Sequence, residues 1–170
     1  MASAMDGMDL AQVKIGDNVL LQVCGAIGSI NLNMLLLKGG ANVTVSDPVP
    51  EKRALALKLG AQHVIDPTKE DIVKRGMEIT NGRGYDILYD VAGVPKAAPA
   101  MLDLLAYGGT VVYFAVFPMD YYLPVNLYDL YAKEGRIQTV FTNFYNYPRV
   151  IDLIPRMQLD TIVTREMKLS

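Results

Sequence analysis

From Asp17 onward, short strand-like runs alternate with stretches whose apolar residues recur at helical spacing. The strand-like runs are Val19–Val23, Asn42–Ser46, His63–Ile65, Ile87–Val91 and Thr110–Phe114. Several are apolar throughout, which suits strands covered on both faces. Between them, Ala26–Lys38 carries Ile27, Ile30, Met34 and Leu37 on one helical stripe and stops at Gly39-Gly40. A second helix opens at Pro50, where a first turn tolerates proline, and stops at Gly60 after Leu55, Leu57 and Leu59. Thr68 and Asp71 have capping-box spacing and predict the start of a third helix. Asn81-Gly82-Arg83-Gly84 reads as a turn, Lys96–Leu105 as a helix, and residues 118–134 as a looser region with one short helix. A sixth strand over Arg136–Thr142 and a helix over Pro148–Met157 complete the pattern. Unbroken β-α order predicts an α/β Rossmann fold, a doubly wound, six-stranded, mostly parallel sheet with helices on both faces. The domain is expected over residues 13–158, preceded by an expression scar or linker at 1–12 and followed by a return segment at 159–170.

The turn after the first strand carries the chemistry. A pyrophosphate needs backbone N–H groups and a helix dipole brought close without side chains in the way, and glycines at a strand-to-helix turn allow this. Here the turn is Val23-Cys24-Gly25-Ala26-Ile27-Gly28. Gly25 permits close approach to the phosphates and Gly28 permits tight helix packing. Val23 stands where the first glycine usually is, and a β-branched residue there implies a strand-like backbone. Asp47 follows Gly28 by 19 residues, at the end of the second strand, where an acid accepts from the adenosine ribose hydroxyls. Its charge would repel a 2′-phosphate, and no arginine follows directly, so NAD is favoured over NADP.

Composition narrows the field further. The 170 residues carry 16 basic and 18 acidic side chains, a net charge of −2, without the basic excess that draws a chain to nucleic acid. No apolar run approaches the roughly 20 residues that span a bilayer, so no membrane partner is expected. The single cysteine, Cys24, excludes an intramolecular disulfide and fits a reducing, cytoplasmic setting.

At these residues the sequence resembles the zinc-type medium-chain dehydrogenases, in the polyol (sorbitol-like) and threonine dehydrogenase branch. Lys14-Ile15-Gly16-Asp17-Asn18-Val19-Leu20, Val45-Ser46-Asp47-Pro48, His63-Val64-Ile65-Asp66-Pro67, Gly82-Arg83-Gly84-Tyr85-Asp86 and Gly108-Gly109-Thr110-Val111-Val112 follow the family's order. The resemblance implies that the backbone of Gly25, Ala26 and Ile27 holds the pyrophosphate, Asp47 the ribose and Lys52 the adenine edge. It implies that Ala92 and Gly93 line the cofactor groove, and that Val116, Phe117, Thr142 and Asn143 sit near the nicotinamide. Departures are Val23, Ala26 in place of proline, Ala115 and Thr139 in place of glycine, and Gly135 in place of leucine. The family's zinc-holding catalytic domain is missing, so zinc is expected only in that absent part. This chain alone is expected to be inactive, with no catalytic or metal-binding residue of its own. A homodimer through the sixth strand is implied as well.

Plainer readings stand beside these. Cys24 reads as a small packed thiol, His63 as a structural residue without an orienting acid, and the aromatics of residues 144–147 as loop packing. Asp47 could simply cap the next helix. Two rival functions share parts of the pattern. An S-adenosylmethionine-dependent methyltransferase also has a glycine turn and a ribose-binding acid, although its turn usually follows an acid on strand one, and Val19–Val23 holds none. The other rival is a non-catalytic nucleotide-binding or dimerisation module.

Overall fold

A computed structural model describes residues 1–39, 42–142 and 145–163. Six strands form one parallel sheet: β1 (Asn18–Gln22), β2 (Asn42–Ser46), β3 (His63–Ile65), β4 (Tyr85–Asp90), β5 (Leu105–Tyr113) and β6 (Arg136–Thr139). Their order, β3-β2-β1-β4-β5-β6, reverses direction between β1 and β4, which is the doubly wound Rossmann arrangement. Helices α1 (Ala2–Ala11), α2 (Ala26–Leu37), α3 (Pro50–Leu59) and α7 (Tyr147–Leu153) supply residues to one core, against Val19, Leu21, Val45 and Tyr89. Helices α4 (Ile72–Ile79), α5 (Ala98–Asp103) and α6 (Leu127–Ala132) cover the opposite face, against Leu20, Tyr85, Leu88 and Val111. A short α8 spans Leu159–Ile162. Each buried Leu or Val contributes about 1.5–3 kcal/mol, and alternation along the central strands sends consecutive side chains to the two cores.

Several local expectations are corrected by tertiary demands. Residues 2–11, expected to lie outside the fold, form α1 and bury Met5, Gly7, Met8 and Ala11. The reason is that Tyr89 and Phe114 need cover, and Gly7 lets the helix reach the Tyr89 hydroxyl. The third helix is capped by Asp71, whose carboxylate accepts from the Val73 and Lys74 N–H groups. Thr68 instead donates its hydroxyl to Asp66 Oδ1 (2.6 Å), so no capping box forms. The helix expected over Lys96–Leu105 shrinks to α5 because Leu104 O accepts from Tyr85 N–H (2.9 Å) and Leu105 joins β5. The sixth strand stops at Thr139, where β5 ends opposite it at Tyr113.

Candidate dinucleotide site

The carboxyl ends of β1 and β2 are locked to each other before any ligand is considered. Val23 N–H continues the ladder by donating to Ser46 O (2.8 Å), and Cys24 N–H donates to Asp47 Oδ2 (2.8 Å). These two bonds turn the chain sharply, and Val23 takes a left-handed φ of 69°. That corrects the strand-like backbone expected of it: the turn's contacts override the preference of a β-branched residue. Gly28 accounts for the other half of the turn, because a Cβ there would sit deep inside contact with the Val23 carbonyl oxygen and 2.9 Å from its carbon. Only glycine lets α2 approach this closely.

Gly25 is the N-cap of α2, and no side chain satisfies the cap. The first-turn N–H groups of Ala26, Ile27 and Gly28 have no intrahelical acceptor by helix geometry, and they concentrate the positive end of the dipole. Ala26 is exposed, and Ile27 is 55% exposed, so the turn faces open space. A Cβ on Gly25 would meet only Lys52 Nζ, at 4.0 Å. Lys52, assigned by likeness to the adenine edge, thus carries its ammonium over the glycine turn.

Asp47 is fully buried, with Oδ1 accepting from Val49 N–H (2.8 Å) and Oδ2 from Cys24 N–H. Val49 is itself the N-cap residue of α3 and no side chain caps that helix, so Asp47 does not take the capping role; it locks the turn instead, which spacing alone did not reveal. Arg53, also unremarked by its spacing, donates to Asp47 O (2.6 Å) and pairs with Asp66 (2.8 Å). Asp66 is held below the ordinary carboxylate range, first by the Thr68 hydroxyl and then by the Thr68 N–H and the Arg53 charge, although its burial pulls the other way. Burial pushes the Cys24 thiol up, which suits a packed thiol rather than a reactive thiolate.

Across the groove, Asp90 Oδ1 accepts from Ala92 N–H (2.7 Å) and Gly93 N–H (3.1 Å). Gly93, at φ 64°, leaves room for Val116 O, which a Cβ would approach to 2.8 Å. Ala92, Gly93 and Val116 are thus brought together. Phe117 turns into the core, edge-on to Tyr113 (5.6 Å) and stacked on Tyr121 (5.4 Å). Thr142 lies past the end of β6, and Asn143 lies outside the described residues. Asp90 was missed by the sequence pattern because it reads as an ordinary strand residue. Among the described residues, no group of three His, Cys, Asp or Glu side chains could hold a metal ion, and no helix is long and apolar enough to cross a membrane.

Known proteins resemble this chain in sequence and fold. L-threonine 3-dehydrogenase of Pyrococcus horikoshii is 30% identical over 174 residues, covering 99% of this chain and 49% of that protein. Scyllo-inosose 3-dehydrogenase of Thermotoga maritima is 29% identical over 164 residues, covering 93% of this chain and 42% of that protein. A solved structure from Sinorhizobium meliloti, described as a zinc-binding dehydrogenase bound to NADP, is 28% identical with a TM-score of 0.92, covering 96% of this chain and 49% of that one. The chain thus spans about half the length of these relatives. Nothing in these matches points to a methyltransferase. With the zinc-binding dehydrogenase family matching residues 26–156 as well, the chain belongs to that family and carries its Rossmann domain.

Proposed function

We propose that this chain binds NAD(H) at the amino end of α2. The observation that carries the reading is the uncapped α2 terminus, framed by Gly25 and Gly28, with Lys52 Nζ above it. A pyrophosphate fits there: Gly25, Ala26 and Ile27 offer N–H groups, and Lys52 supplies a cation on the phosphate side rather than at the adenine. Asp47, buried in the ligand-free chain, would meet the ribose once the residues over it move aside, through the lone pairs its two backbone bonds leave free. NAD is preferred to NADP because an acidic side chain at Asp47 disfavours a 2′-phosphate and Arg53 is committed to Asp66. Ala92 and Gly93 are proposed to line the cofactor groove, and Val116, Phe117, Thr142 and Asn143 to sit near the nicotinamide. The bound cofactor supplies hydride chemistry, while these residues bind and orient it.

Oxidation of an alcohol or polyol is proposed for the assembled dehydrogenase, by likeness to its relatives. Among the described residues no group of three His, Cys, Asp or Glu side chains could hold zinc, and this chain alone is proposed to be inactive. Its buried, unpaired Cys24 suits a cytoplasmic setting.

Calorimetric titration of the full chain with NAD, NADP and S-adenosylmethionine tests this reading. NAD should bind most tightly, and Asp47→Asn should narrow the gap to NADP. Failure of both dinucleotides to bind, or preferential binding of S-adenosylmethionine, would overturn it.

A homodimer through β6 is proposed alongside. This strand borders the sheet, and Ile137 remains 37% exposed, so its outer main-chain groups are open to a second copy. Light scattering should give a dimer mass that Gln138→Pro reduces to a monomer; a monomeric wild type would refute it.

A further inference from the structure

Two acceptor atoms inside the sheet lack donors. Gln22 Oε1 and Asp90 Oδ2 are both buried with no hydrogen-bond partner. Their residues are register partners on β1 and β4. Register partners in a parallel pair project from one face, here the face of Leu20 and Leu88 two residues earlier. Each orphaned acceptor carries a desolvation penalty that nothing offsets. A single proton answers both, since a protonated carboxyl donates and an amide carbonyl accepts; a Gln22 amide turned to donate Nε2–H would answer them with Asp90 ionised, which is the outcome that overturns the shared proton.

We propose that Asp90 is a neutral carboxylic acid whose Oδ2–H donates to Gln22 Oε1, and that this bond positions the two walls of the groove against each other. Gln22 directly precedes the turn that begins at Val23. The other oxygen of Asp90 holds Ala92 and Gly93, and its backbone carbonyl accepts from Phe114 N–H (3.0 Å) and Ala115 N–H (3.1 Å). One side chain and its own peptide thus join the carboxyl ends of β1, β4 and β5.

The surroundings favour the neutral form. Burial pushes the Asp90 carboxyl up and outweighs the two backbone N–H bonds, and no charged neighbour enters the balance. From β5 the neighbouring titratable group is Tyr113, whose hydroxyl donates to Ala98 O (3.0 Å), and beyond it Tyr121, which donates to Pro95 O (3.0 Å). From β2 the row continues with uncharged Ser46, and the nearby Asp47 is bound to Cys24 and Val49. Asp90 is a positioning residue, not a catalytic one.

Only the part about the groove rests on the dinucleotide reading; the location of the proton does not. The test is carboxyl carbon-13 NMR on the full, ligand-free chain. Asp90 should still be protonated where exposed aspartates have already ionised. Gln22→Met, which removes the acceptor, should make that carboxyl ionise at lower pH. Asp90→Asn keeps the acceptor toward Ala92 and Gly93 and supplies an N–H to Gln22, so it should melt within about 3 °C of wild type, whereas Asp90→Ala should melt several degrees lower. A carboxyl raised in the folded state contributes stability below its ordinary 3.8 and loses it as pH rises toward the folded value. Wild type should therefore lose stability relative to Asp90→Asn over that range. An ionised Asp90 at neutral pH, or Asp90→Asn as damaging as Asp90→Ala, would overturn the proposal. Should Asp90→Asn not fold, the wild-type and Gln22→Met titrations still decide. A protonated Asp90 in a chain that binds no dinucleotide would leave the proton in place and sink the cofactor reading alone.

Discussion

Gly28→Ala separates two physical expectations of opposite sign. Helix propensity alone makes alanine more stable than glycine by about 1 kcal/mol. The packing says otherwise, because the new methyl would penetrate the Val23 carbonyl oxygen and lie 2.9 Å from its carbon. Neither atom can swing aside, since both belong to a turn held by Ser46 O and Asp47 Oδ2. Carbon atoms pack at about 3.5–4.0 Å, so α2 must withdraw by roughly 1 Å and loosen the contacts of the fully buried Leu32 and Leu35. Overpacking of this kind costs about 1–3 kcal/mol and partly uncovers the core besides, for a net loss of about 2–4 kcal/mol. For a chain of this length that is a fall of about 5–15 °C in thermal midpoint. Gly25→Ala is the matched control: its methyl meets only Lys52 Nζ at 4.0 Å, so stability should change by about 1 kcal/mol or less. That same methyl stands where the phosphates approach, so NAD affinity should fall at least about tenfold, or about 1.4 kcal/mol. Melts followed by circular dichroism and calorimetric titrations read the two effects separately. A Gly28→Ala chain melting at or above the wild-type midpoint would refute the close approach of α2 to the turn.

Two further outcomes are expected. A Cβ on Gly7 would run into the Tyr89 hydroxyl and lie 3.0 Å from Cζ, and that hydroxyl has no hydrogen-bond partner; Tyr89→Phe should be neutral or stabilising and should recover part of the loss caused by Gly7→Ala, as a double-mutant melt will show. Asp66, lowered in the folded state, contributes stability above its ordinary value of 3.8 that is lost as pH falls through the lowered one. Asp66→Asn should therefore be less stable than wild type near about pH 7 and converge with it in acid; a gap that does not change with pH would contradict this.

Strands were legible in the sequence because central strands of a parallel sheet must be apolar on both faces, as Val19-Leu20-Leu21 and Val111-Val112 are. The glycine turn was legible for the same kind of reason, since Gly28 answers a steric demand that recurs wherever a helix crosses so close to a strand. What escaped was set by contacts distant in sequence. α1 has no acidic first turn and no side-chain cap, and its purpose shows only once Tyr89 and Phe114 are placed beneath it. Val23's left-handed backbone follows from Ser46 and Asp47, not from its own preference. Thr68 and Asp71 offered two candidate caps, and the choice fell to Asp71 because Asp66 claimed the threonine hydroxyl. Asp90 had no marker at all, because its meaning lies in which strand lies beside it.

The central position of β1 has a kinetic consequence. Val19 faces Val43 on one side and Ile87 on the other, and the Asn18 N–H reaches the Asp86 carboxylate across 68 residues of chain. Closing that longer loop costs more entropy than closing the one to β2, and parallel pairing yields nothing until closure is complete. The β1-α2-β2-α3-β3 half should therefore assemble first, with docking of β4 as the slow step. During that interval the inner edge of β1 presents unpaired main-chain groups, so refolding yield should fall as protein concentration rises, and dilution should restore it.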